Sequence, residues 1–264
     1  MMEGQLHRMM VSLEDTVRYE LKMSELITMN SYLNRKIKFL FSGIITCVSC
    51  GKRTKTSFNQ GFCYDCFRSA PESAECIIRP ELCRAHLGEG RDMEWEERNH
   101  NQRHFVYLAS TDTIKVGVTR TTQVPTRWID QGAHQAIRLA ETPNRYQAGV
   151  LEVALKSYFT DKTNWRKMLR NDIDESIDLV QVKWKLEESL PSDLTEFFAD
   201  NDEVIKINYP VLQYPDKVKT VSFDKDSTIE GTLLGIKGQY LLLDGDRALN
   251  IRKHTGYHVT FEGE

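Results

Sequence analysis

The stretch "HFVYLASTDTIKVGVTRTTQVPTRWIDQGA", residues 104–133, decides how the middle of the chain folds. "FVYLA" and "IKVGV" are short apolar runs, and "STDT" between them is a cluster of turn-forming residues. They read as two strands of a hairpin over residues 105–118. Such a hairpin places Tyr107 near Lys115, and Gly117 allows close backbone approach. "VPTRWIDQGA" then reads as a short helix carrying Arg127. Pro125 suits its first turn and Gly132 suits the residue just past its end.

Outward from this stretch, "TPNRYQAGVLEVALKSYF" predicts the clearest helix of the chain. Thr142 caps it, Pro143 opens it, and Leu151, Leu155 and Tyr158 recur at helical spacing. Residues 1–46 alternate in "VRYELKM" and "IKFLFSGII" and read as strands. Residues 173–202 are acidic, with a helix predicted at "LTEFFA". From Val204 short strands return in "VIKINYPVL", "KTVSF", "EGTLLGIKGQYLLLDG" and "YHVTFE", which suits a small barrel or an open sheet, one that could include the N-terminal strands. The expected class is α+β. The expected organisation is a β segment at 1–46, a cysteine-rich segment with an irregular linker at 47–103, a central domain at 104–172, an acidic helical connector at 173–202 and a β domain at 203–264.

The chain has 264 residues, 40% of them hydrophobic, and a formal net charge of -3. It has no apolar run of the ~18 residues that a membrane helix needs, and no basic-then-apolar start. A chain without membrane partners, placed in the cytoplasm, is the expectation. The charge is uneven: residues 105–172 carry ten Lys/Arg against six Asp/Glu, and residues 173–202 carry two against nine. The basic segments are where an anionic partner would sit.

All six cysteines fall between Cys47 and Cys83. Cys47 and Cys50 form one CxxC pair, and Cys63 and Cys66 form another. Two such pairs on tight turns supply the four thiolates that a closed, tetrahedral Zn2+ site takes. Gly51 and Gly61 fit the turns that aim N–H groups at sulfur. The ion would be structural, because the segment has too few apolar residues to fold alone. "GKRTKT" in its loop adds three cations and two hydroxyls suited to phosphate. Cys76, Cys83 and His86, with His100 or His104, would form a second site; the competing reading is buried free cysteines.

A tyrosine, a lysine, an arginine and a carboxylate on neighbouring elements are groups a phosphodiester site uses. The carboxylate would hold Mg2+ or Mn2+, the arginine would offset charge in the transition state, and the phenol would relay a proton. The competing readings are ordinary. Tyr107 is then a core aromatic, Arg127 pairs with Asp130, Arg145 neutralises Glu152, and Trp128 and Trp165 are packing anchors.

These residues resemble the GIY-YIG nuclease superfamily. "FVYLA" is similar to its first motif, with Tyr107 at the tyrosine position. "IKVGVT" is similar to the second, with Gly117 at the glycine position and Lys115 where the family has a tyrosine. Arg127 falls where the family places its helical arginine. Glu152 resembles the metal-binding glutamate, and Asn164 stands where some members carry an asparagine. The resemblance covers residues 104–170 and implies Tyr107, Lys115, Gly117, Arg127, Glu152 and Asn164 as site residues, with Glu152 as the ligand of the divalent ion. A neutral phenol is missing at Lys115, so a lysine would contact phosphate there without serving the same proton transfer. The cysteine block with "RPELCRAH", "KVGVTR", "RWIDQGA" and "TNWR" also resembles a bacterial family defined as domain of unknown function 2797.

Three functions follow as expectations: a metal-dependent endonuclease, a non-catalytic zinc-ribbon module that grips DNA or RNA, or a protein-interaction scaffold.

Overall fold

The strand Lys36–Thr46, "KIKFLFSGIIT", is the central strand of the largest sheet. Ile37 and Phe39 are buried on one face, as alternation requires. Strands Tyr257–Gly263 and Thr228–Lys237 pair with it on either side, both antiparallel. Met2–Gln5 adds to the outside of Tyr257–Gly263. On the other side the order continues through Tyr240–Leu243 and Arg247–Asn250 to Lys219–Val221, and the short strand Arg53–Thr54 pairs off the central strand. Lys219–Val221 runs parallel to its neighbour. Phe39 and Phe261 pack with ring centroids 5.0 Å apart beneath this sheet.

The computed structural model describes residues 1–159 and 164–264. The chain divides into two compact units. The first comprises residues 1–69, 129–132 and 208–264, and holds the large sheet together with a three-stranded sheet built from Met10–Ser12, Arg18–Lys22 and Leu26–Thr28. The N-terminal strands do share a sheet with the C-terminal ones. The barrel alternative is corrected: the sheet is open. Closure needs its two end strands to pair, and Met2–Gln5 and Lys219–Val221 do not pair with each other.

The second unit comprises residues 70–128 and 133–207. Its sheet has four strands in the order Val204–Lys206, Gln135–Thr142, His104–Ser110, Ile114–Arg120, all antiparallel. The hairpin predicted over 105–118 is therefore present, and the third strand lies beside its first. His104–Ser110 is buried on both faces. Val106 and Leu108 pack with Leu151 and Leu155 of the helix Arg145–Leu155 and with Leu179 and Leu186 of the helix Leu179–Ser189. Each such side chain, fully buried, contributes ~1.5–3 kcal/mol.

The helix ends differ from the sequence expectation. Thr142 closes a strand, and Asn144 is the cap: its Oδ1 accepts from Gln147 N at 3.0 Å. A short polar side chain one turn ahead of the first apolar pair is favoured over a β-branched residue still held in the sheet. Tyr158 lies beyond the helix end and is exposed. In the acidic segment the main helix is Leu179–Ser189, capped by Asp178. At "LTEFFA" only the first two residues are helical, in Ser192–Thr195, while Phe198 bridges to Ala140 of the sheet. Its aromatic residues are drawn to the sheet's apolar surface, which overrides the helical pattern.

Candidate functional site

Cys47 follows the central strand of the first unit directly. Its N–H donates to Lys52 O at 2.9 Å and its carbonyl accepts from Gly51 N at 2.9 Å, a tight knuckle around Cys50. Gly51 has φ +72°, in the left-handed region that a glycine enters without cost. The second knuckle starts from a two-way pairing of Phe58 and Phe62 and runs into the helix Tyr64–Ser69, which carries Cys66. The four sulfurs lie within 4.8 Å of one another. Cys50 Sγ and Cys63 Sγ are 3.8 Å apart. A tetrahedral zinc with Zn–S bonds of about 2.3 Å sets its sulfurs about 3.8 Å apart, so the donor set and its spacing fit this ion.

The thiols are already polarised. Burial opposes ionisation of Cys47, but N–H groups of Cys50, Cys63 and Ser49 overcome it and bring the thiol down to about 6. The Cys66 thiol is pushed up to about 12, chiefly by its hydrogen bond with the Cys50 side chain. A metal ion replaces such shared protons and releases them.

In the second unit, Tyr107 and Gly117 are directly opposite in the hairpin register. The phenol ring lies across Gly117, and a Cβ there would collide with the Tyr107 hydroxyl. The glycine is required by a side chain, where the sequence suggested close backbone approach. Tyr107 is fully buried, with the Trp128 ring edge-on at 5.9 Å. Trp128 is thus the packing anchor expected of it. Lys115 is opposite Ala109 and shares the Tyr107 face, since directly paired residues project to the same side. Val106 and Leu108 project to the other side, against the helix that carries Glu152.

Arg127 and Glu152 are both half-buried, and both act electrostatically on Arg145. Burial lowers the Arg145 guanidinium from its ordinary value; Cys76, Cys83 and Glu152 hold it up, and Arg127 lowers it further. Its hydrogen bonds go to the carbonyls of Cys76 at 2.9 Å and Ile77 at 2.8 Å. Asn164 caps the helix Trp165–Arg170, its Oδ1 accepting from Arg166 N at 3.1 Å and from Lys167 N at 3.4 Å. Tyr107, Lys115 and Gly117 thus share one face of the hairpin, Arg127 and Glu152 both act on Arg145, and Asn164 caps a separate helix.

Two cavities of about 570 Å³ and 700 Å³ are lined by first-unit residues, among them Lys38, Glu230 and Arg247 in one and Arg53, Phe223 and Tyr257 in the other. None of the candidate residues lines either. Arg145 is the group whose place in the charge network sequence reasoning underrated. Its signal was its position seven residues before Glu152, two turns along one helix face.

No curated protein and no solved structure matches the chain. Among known families, residues 34–259 match the one described as "Protein of unknown function (DUF2797)". With most of its length covered by that match, the chain belongs to the DUF2797 family.

Proposed function

We propose that this protein binds nucleic acid through a GIY-YIG-like second unit, with the four-cysteine segment as a zinc-clipped element of the first. The observation that carries this reading is the order of elements. A hairpin bears Tyr107 and Gly117 in register, a short helix bears Arg127, a third strand pairs beside the first hairpin strand, and a helix bears Glu152. Apart from the third strand, that is the order the resemblance implies. Arg127 and Lys115 supply cations for phosphate oxygens, and such contacts give affinity without sequence readout. The zinc, where bound, holds Cys47, Cys50, Cys63 and Cys66 together and supports the basic loop "GKRTKT" between the pairs.

A second reading, metal-dependent cleavage, is favoured by the half-buried Glu152 carboxylate on the helix that packs against the hairpin. Glu152 would hold Mg2+ or Mn2+, which supplies charge stabilisation at the phosphate. In that reaction a water oxygen bonds to phosphorus as the ester P–O bond breaks, and the proton lost by water is matched by one gained by the leaving oxygen. The burial of Tyr107 beneath Trp128 and the lysine at position 115 weigh against it as the main activity, since neither motif position then offers an exposed phenol to move a proton.

One experiment separates these. Labelled single- and double-stranded DNA and RNA are incubated with the protein, with Mg2+ or with EDTA, over a range of salt. Binding that weakens with salt, and whose log–log slope falls by ~1 in Arg127→Ala, supports the first reading. Metal-dependent cutting that Glu152→Gln abolishes while binding persists establishes the second. No salt-sensitive binding to any of the four leaves the scaffold.

A further inference from the structure

The second unit holds another cluster of metal-type donors. Cys76, Cys83 and His100 offer two sulfurs and a ring nitrogen, all within 4.8 Å of one another. Cys76 Sγ is 3.9 Å from His100 Nδ1. A tetrahedral ion with Zn–S of about 2.3 Å and Zn–N of about 2.0–2.1 Å would set them about 3.6 Å apart. The same nitrogen is in close contact with Glu96 Oε2. Glu96, His100 and Cys83 are each 2% exposed. His86, the histidine nearest in sequence to Cys83, is elsewhere: its ring stacks on Tyr146 with centroids 4.5 Å apart. His104 Nδ1 is taken by Gln102 O at 2.7 Å.

We propose that Cys76, Cys83 and His100 form a second divalent-cation site of the zinc type, which Glu96 completes as fourth donor by moving its carboxylate from His100 Nδ1 onto the ion. Glu96 and His100 stand at i and i+4, where the helix Met93–Asn99 and its C-terminal cap put them on one face. The two cysteines come from separate short turns, Cys76 within Glu75–Ile77 and Cys83 at the end of Pro80–Leu82. Charge carries the argument further. Two thiolates and a carboxylate sum to about -3, and the buried Arg145 returns one; a dication closes the balance. Without an ion these groups must share protons. When an ion takes His100 Nδ1, that nitrogen carries no proton for Glu96 to accept, and the Glu96 oxygen already stands beside it.

The site has a structural consequence. The backbone of Pro80 and Glu81, between the two cysteines, lies directly on Gly149 of the helix Arg145–Leu155, where any Cβ would collide with it. Arg145 from the same helix grips the carbonyls of Cys76 and Ile77. The ion would thus fix the segment on which the Glu152 helix rests.

The test is metal content of the full chain, reconstituted with zinc and dialysed. Wild type should hold two equivalents, and Cys47→Ser/Cys50→Ser and Cys76→Ser/Cys83→Ser one each. Cobalt loaded into Cys47→Ser/Cys50→Ser should show the thiolate charge-transfer and visible bands of a four-coordinate site. Glu96→Gln should weaken zinc at this site at least ~10-fold in competition with a chelator. A wild-type readout guards against misfolded variants: Cys76 should resist alkylation until a strong chelator is added. One equivalent of zinc in wild type, or alkylation of Cys76 at the same rate with and without chelator, overturns the proposal. An unchanged affinity in Glu96→Gln removes Glu96 from the set and overturns the four-donor site.

Discussion

The two cysteine clusters hold sulfur in opposite surroundings. Around Cys47, Cys50, Cys63 and Cys66 the packing is thin beyond buried Cys47 and a small aromatic set at Phe58, Phe62 and Phe67: Cys50 is exposed, and the helix Tyr64–Ser69 buries none of its side chains. Around Cys76 and Cys83 the packing is dense. Cys83, Ala85, Glu96 and His100 are buried, Arg145 binds two carbonyls, and Gly149 seats the segment. An ion at the first cluster would add most of what holds its more exposed cysteines, whereas the second is held by burial and hydrogen bonds that an ion would reinforce. The same donor chemistry therefore has different weights in stability.

The widest way to break that contrast is to remove one ligand of the first cluster. Cys63→Ser should release zinc and lower unfolding stability by more than ~4 kcal/mol, the range reached when a structural metal is lost. Zinc release on unfolding, followed with a chromogenic chelator beside a denaturant curve, checks both halves. Unchanged stability with the metal gone would mean that the Phe58–Phe62 pairing and the knuckle hydrogen bonds suffice, and the contrast would collapse.

A smaller effect probes the second cluster from its packing side. Gly149→Ala adds a single methyl group where the Pro80–Glu81 backbone leaves no room. Alanine is the better helix former, so the helix itself gains. Overpacking against a backbone costs ~1–3 kcal/mol, and the net should be destabilising. A denaturant midpoint above that of wild type would show that the segment yields, and that metal alone holds it.

The difference between the clusters also explains what could be read from the chain. Cys47, Cys50, Cys63 and Cys66 announce themselves because each pair makes its own turn, so spacing alone encodes the geometry. The hairpin around Tyr107 and Gly117 was legible for the same reason: its contacts are local in sequence. The pairing of Cys76 and Cys83 with His100 was not, because six residues separate the cysteines and sixteen separate Cys83 from His100. Only tertiary packing chooses His100 over His86 or His104. The open sheet was half legible. Alternation marks Lys36–Thr46 as a strand, but nothing local says that Tyr257–Gly263, from the far end of the chain, lies beside it. That Arg127 and Glu152 both act on Arg145 depends on how the helices pack on the sheet, and that is a property of the whole second unit.

An effect absent at neutral pH and growing with acidity separates a histidine that would bind an ion from one that is merely buried. His104 begins the Tyr107 strand and is fully buried. Its Nδ1–H donates to Gln102 O, and its Nε2 has no hydrogen-bond partner among the described residues. Burial holds the ring near pKa 3, Arg145, His100 and Arg120 adding to the effect while Gln102 opposes it. The unfolded chain has an ordinary imidazole, with pKa about 6.5. Above that value neither state binds the proton, and His104 leaves stability unchanged. As pH falls from about 6.5 toward 3, the unfolded chain takes up a proton that the native ring refuses. Stability is lost over that window at up to ~1.4 kcal/mol per pH unit for this one group. Acid also strips metal from thiolates, but that loss is common to wild type and His104→Gln and cancels in their difference. The difference in unfolding stability should therefore grow in favour of His104→Gln below pH 6.5, while the zinc content of the two proteins stays equal. Parallel pH curves would mean that the native ring takes up its proton as readily as the unfolded one. A drop in zinc content would make His104 a ligand and redraw the second cluster around it.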